Sequence, residues 1–170
     1  MAWSANNDLV KGNDMWLYLV DLNGGAMASG MVATAKVVAY AQSCSLEINA
    51  DTLDVTSKLS CRWNAVLPGN ASYTVNSDSL YCLKSAADAN SAYTIDHLFD
   101  MMVDGENVGW VIAQDSSDEC GTVGGPDTTK PYYYGEAAIS TLSVNAANNE
   151  VASSSISLTG SGRPYQGGVN

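Results

Sequence analysis

Asp51 and Asp54 stand three residues apart in the stretch Cys44 to Val75. Two carboxylates are the minimum for acid–base chemistry, one protonating a leaving group while the other acts as base or nucleophile. The chain offers them little company. His97 is the only histidine, and the cysteines, Cys44, Cys61, Cys82 and Cys120, are widely spaced with no CxxC pair, so triads and zinc sites lack members. Asp115, Asp118 and Glu119 form a second acidic group but lack the D-x-[DN]-x-[DN]-G pattern of a calcium loop. No G-x-S-x-G elbow, phosphate loop or glycine fingerprint is present. These residues therefore predict no catalysis, no cofactor and no metal. The second acidic group reads as solvated charge, His97 as an ordinary helix residue and the cysteines as buried free thiols, in keeping with a reducing cytoplasm.

The balance of 18 acidic against 7 basic residues gives a net charge of −11, which repels nucleic-acid phosphates over the surface as a whole. Charged residues make up only 15 %, and much of the remainder is Ala, Ser, Thr, Asn and Gly, a composition suited to strands with small polar faces. A length of 170 residues predicts one domain spanning 1–170, with a polar N-terminal arm (1–14) and a polar C-terminal arm (162–170). No run approaches the ~18 apolar residues of a membrane helix, and no basic n-region precedes an apolar run, so neither a membrane span nor a secretory signal is expected.

Periodicity places the elements. Met15 to Val20 is apolar on both faces and must be covered twice, by its own domain or by a neighbouring subunit. After it, glycines 24, 25 and 30 with Met27 and Met31 make a loop suited to subunit contact or to plain solvent exposure. Lys36 to Ala41 is a strand, and Leu46 and Ile48 alternate with Ser45 and Glu47 in the next. Tyr73 and Val75 alternate with Ser72 and Thr74 in another. Asn76 to Ser79 reads as a turn. Thr94 caps a short flanking helix (about 94–104) whose stripe is Ile95, Leu98, Phe99 and Met102, with Gly105 as its stop. Asn107 to Gln114 faces Val108, Trp110 and Ile112 one way. Two closing strands surround the turn Asn145 to Glu150; in the second, Ser154, Ile156 and Leu158 oppose a lawn of hydroxyls, Ser153, Ser155, Ser157 and Thr159.

The order of CSLEINADTLDVTSK (Cys44 to Lys58), then Leu67-Pro68-Gly69 before the strand Ser72 to Val75, then the helix Thr94 to Val103 and the closing hairpin resembles the major tail proteins, or tail tube proteins, of tailed bacteriophages. The resemblance implies a mainly β fold, a β-sandwich or partly closed β-barrel with long inter-strand loops. It implies a virion structural protein that forms stacked, hexameric rings and a hollow tube through which DNA passes without specific binding. Its implied partners are further copies of itself, a tape measure protein, a tail terminator and baseplate or distal tail proteins, with assembly in the host bacterial cytoplasm. The long loop of that family corresponds here to 49–66, which makes Asp51, Asp54, Val55, Lys58, Arg62 and Trp63 candidate inter-ring contacts; Met27 and Met31 are candidate subunit contacts.

Two alternatives remain on the sequence. One is a soluble or surface β-sandwich that binds carbohydrate on a platform of Trp63, Trp110 and the tyrosines. The other is the tube subunit of a bacterial contractile injection system.

Overall fold

The computed structural model describes residues 10–82, 92–117 and 123–168. Met15–Asp21 (β1) carries apolar side chains on both faces and both are buried. Leu17 and Leu19 enter the main core with Val75, Trp110 and Leu158; Tyr18 and Val20 enter a second core with Val32, Val37 and Val111. The second cover comes from the chain itself. Residues 22–35, including the 3-10 turn Ser29–Thr34, fold back over β1 and bury Val32 completely. Met27 and Met31 lie half-buried against this cluster. Gly109 leaves room for the Met27 side chain here: a Cβ at 109 would stand 2.6 Å from its sulfur, which would have to shift.

The other strands are Lys36–Val38 (β2), Ala41–Asp54 (β3), Val66–Leu80 (β4), Ala92–Tyr93 (β5), Asn107–Gln114 (β6), Tyr132–Asn145 (β7) and Ser153–Gly167 (β8). They form one mixed eight-stranded sheet in the order β3-β4-β8-β7-β6-β1-β2-β5, antiparallel except between β2 and β5. The sheet curls until the Cys44 Sγ of the first strand lies 3.8 Å from the Met15 carbonyl oxygen of the sixth, yet β3 and β1 do not pair. This is a barrel left partly open around the main core. The helix Ile95–Asp104 (α1) closes over that core through Leu98 and Met101, and its first residue, Ile95, is buried as well.

Tertiary pairing moves several boundaries away from their sequence signals. Asn76 to Ser79 is strand, because β3 and β8 supply ladder partners on both sides and override its turn-forming residues. Residues 162–167 are strand rather than arm, with Tyr134 opposite Tyr165 and their rings stacked at 5.5 Å. The expected loop 49–66 shrinks to 55–65 because β3 and β4 stay paired out to Asp54 and Val66. On α1, Met101 replaces Phe99 and Met102 in the buried stripe. Residues 118–122, with Asp118, Glu119 and Cys120, and residues 1–9 of the N-terminal arm lie outside the described residues.

Candidate functional site

Three surfaces stand out: a projecting arm, a hydroxyl face and an open strand edge. The arm begins where β8 leaves β4. β4 pairs with β8 only from Thr74 to Leu80, so its earlier half is held by β3 alone. Between Ala50 and Thr52 the register shifts, Gly69 passing close against Asp51. Beyond the shift Leu53 lies opposite Leu67, and both are exposed, with Val55 and Val66 beside them.

The tip is locally ordered. Val55 N–H donates to the Ala65 carbonyl at 2.9 Å, Ala65 N–H to Thr56 Oγ1 at 2.9 Å, and Thr56 N–H to Asp54 Oδ1 at 2.8 Å. Hydrogen bonding from Thr56 holds the Asp54 carboxyl below the usual carboxylate range. A 3-10 turn at Lys58–Ser60 leads to Cys61 in a left-handed conformation and to Trp63, which is 82 % exposed.

The structure therefore gathers Asp51, Asp54, Val55, Lys58, Arg62 and Trp63 on one exposed arm. It makes no carboxylate pair of Asp51 and Asp54, since residues three apart on a strand point to opposite faces. Met27 and Met31 sit elsewhere, on the loop covering β1, where Met27 N–H donates to Glu136 Oε1 at 2.7 Å. Leu53, Val66 and Leu67 are arm residues that alternation alone does not mark, because they are apolar strand residues whose exposure depends on where β8 stops.

The hydroxyl face spans β3, β4, β8 and β7. Three cross-strand rows run over it: Glu47–Thr74–Thr159, Ser45–Asn76–Ser157–Thr141 and Ser43–Asp78–Ser155–Ser143. Their opposite face is core, as the burial of Val75, Ile156 and Leu158 shows. The hydroxyls engage one another and the backbone: Ser43 Oγ donates to Asp78 Oδ2 at 2.9 Å, Ser140 Oγ to the Ser157 carbonyl at 2.8 Å, and Ser143 and Ser155 meet at 2.6 Å. Glu47 and Asp78 are the charges in these rows, and no basic residue occurs in them. The third surface is the outer edge of β3, a 14-residue strand that ends the sheet.

Other expectations change. Asp115 is not merely solvated: it accepts from Tyr18 Oη at 3.1 Å and from Gly124 N–H at 3.0 Å. Burial, followed by the Asp115 charge, pushes the Tyr18 hydroxyl well above the usual tyrosine range. His97 Nδ1 accepts from Thr94 N–H at 3.3 Å, so it serves the helix cap. The described cysteines are not buried as expected: Cys44 and Cys82 are only partly buried, and Cys61 is exposed. Trp110 is wholly buried, with Nε1 3.4 Å from Tyr73 Oη, and cannot share a carbohydrate platform with Trp63. No helix among the described residues is long and apolar enough to cross a membrane.

The phage tail tube protein family matches residues 9–166. This chain belongs to that family. Solved structures carry the tail tube fold likewise. A chain in the C6-symmetric tail of an empty gene transfer agent particle gives a TM-score of 0.66 at 21 % identity, over 92 % of the present chain and 98 % of that one. A chain of the SPP1 tail tube gives 0.64 at 12 %, over 95 % and 80 %. A chain of the sheath–tube complex of an extracellular contractile injection system, PVC, gives 0.58 at 13 %, over 97 % and 95 %. Among curated proteins no sequence matches. The tail tube protein is thus a virion structural subunit of the tail, mainly β, from a family of structural rather than catalytic proteins.

Proposed function

We propose that the tail tube protein forms six-membered rings whose lumen is lined by the hydroxyl face, whose wall is continued from subunit to subunit along the open edge of β3, and whose arm, 55–65 with its flanking strand ends, contacts the adjacent ring. DNA passes along the lumen. The observation that carries this reading is the hydroxyl face itself, four strands wide, built of short neutral side chains with two acids and no base. Basic groups there would hold the phosphates by counterion release, whereas acids repel them and leave the passage free. The edge of β3 offers unpaired backbone groups, which a neighbouring strand satisfies at no side-chain cost. A closed ring is the ordinary way for such a heterologous contact to terminate, and the C6 symmetry of the gene transfer agent tail supports six.

Met27 and Met31 supply a second, smaller subunit contact from the loop over β1. At its ends the tube meets a tape measure protein, a tail terminator and baseplate or distal tail proteins. The test is negative-stain microscopy of the purified chain with residues 55–65 replaced by a short Gly/Ser linker. The expected result is a folded subunit that fails to elongate while the native chain forms tubes; normal-length tubes from the variant would overturn the role of the arm.

A further inference from the structure

We infer that the receptor for the arm is the exposed face of α1 on a neighbouring subunit. This rests on the reading of the arm as a contact between subunits, and it names the surface that takes it.

The arm carries an apolar and cationic tip that its own subunit leaves uncovered. Trp63 is 82 % exposed, and neither Lys58 nor Arg62 forms an ion pair among the described residues. A receptor must therefore offer apolar surface next to negative charge. Helix α1 does so. Phe99 and Val103, one turn apart, are 59 % and 67 % exposed. Asp96, Asp100 and Asp104, also one turn apart, form the adjacent row.

Asp104 is the telling member of the row. A carboxylate in the last turn of a helix opposes the helix dipole, and α1 has no basic residue there to offset it. Local helix stability argues against this residue, while a cation arriving from a partner accounts for it.

The seat for the tryptophan adjoins this row. Tyr81, Ile95, Asp96, Phe99, Leu142 and Val144 line a shallow cleft of about 210 Å3 between α1 and the end of β7. That is below the roughly 300–1,000 Å3 of small-molecule sites and suits one inserted side chain. A tryptophan anchor flanked by an arginine is the usual energetic centre of an interface. The acidic row disfavours nucleic acid as the occupant.

Two experiments on the full chain test the assignment. In the first, Lys58→Glu with Arg62→Glu, and separately Asp100→Lys with Asp104→Lys, are each expected to lose tube elongation, and the four changes together to restore it. In the second, native Cys61 and the thiol introduced by Val103→Cys are bridged with a short bis-maleimide in assembled tubes. A ladder of covalent multimers is expected, and Cys61→Ser should abolish it. The near-native Val103→Cys chain keeps the question open to a direct answer even where a charge variant folds poorly, as far-UV circular dichroism would show. Tubes that require the arm, yet show no bridge and no rescue by the combined charge exchange, would overturn α1 as the receptor and leave the arm's role standing. Tubes that assemble without the arm would remove both.

Discussion

At the scale of single residues the chain is held by close approaches that only glycine allows and by buried hydroxyls with assigned partners. Tyr73 lies across Gly160 of β8, donates to the Glu136 carbonyl and takes the indole N–H of Trp110, so one phenol joins β4, β8, β7 and β6. A methyl group at 160 would meet the Tyr73 ring head-on. Gly160→Ala is therefore expected to destabilise the subunit by about 1–3 kcal/mol, the usual cost of overpacking, read as a lower urea midpoint at unchanged slope. An unchanged midpoint would mean that the ring moves freely. Tyr18 makes a pH-dependent prediction. Its folded pKa is raised above the unfolded value of about 10, so its contribution is complete below that pH and declines as pH rises, while the unfolded chain ionises and the folded chain does not. Stability should fall above about pH 10, and Tyr18→Phe should make the fall shallower; equal slopes for the two proteins would refute the linkage. Asp115, the partner of this hydroxyl, lies 97 residues away in sequence. That separation is why its neighbourhood of Ser, Asp and Gly reads as solvated loop.

The elements were legible where a period is enforced by burial and misread where pairing decides. Both faces of β1, the alternation of β6 and the hydroxyl face of β8 follow from period two with one or both faces buried. Ile95 and Leu98 are common to the expected and observed helix stripes, but the rotation that buries Met101 and exposes Phe99 is set by the sheet beneath, which the helix sequence does not contain. Asn76 to Ser79 and the strand at 162–167 have turn-like composition and are held extended by neighbours distant in sequence. The arm falls within the loop 49–66 that the family resemblance implies, though its apolar exposure at Leu53 and Leu67 depends on where β8 ends. The hydroxyl face gives a prediction at this scale. Asn76 and Ser157 lie opposite each other near its middle, and neither is fully buried. Asn76→Lys with Ser157→Lys should leave the fold and the tubes intact while slowing DNA ejection from assembled particles, because two cations per subunit in the lumen would capture phosphate. Ejection at the native rate would place this face outside the lumen.

For the whole molecule the decisive quantity is charge. Each subunit brings −11, and a ring of six concentrates six times that in one wall, so self-repulsion opposes assembly at long range. The proposed contacts of Lys58 and Arg62 with the α1 acids act in the opposite sense at short range. Salt separates the two effects. At about 10 mM ionic strength the Debye length is near 30 Å and the charges of neighbouring subunits repel across the interface; at about 150 mM it is near 8 Å and most of that repulsion is screened, while ion pairs in contact and partly desolvated by Trp63 are screened much less. The apolar part of the arm, Leu53, Val55, Val66 and Leu67, is unaffected by screening. Repulsion should therefore be the larger salt-dependent effect, and raising ionic strength from about 10 to 150 mM should shorten the lag and increase the yield of tubes followed by light scattering. Assembly that slows with salt would show instead that the arm's ion pairs dominate, and a rate independent of salt would show that the −11 is spread too widely over the subunit to oppose ring closure.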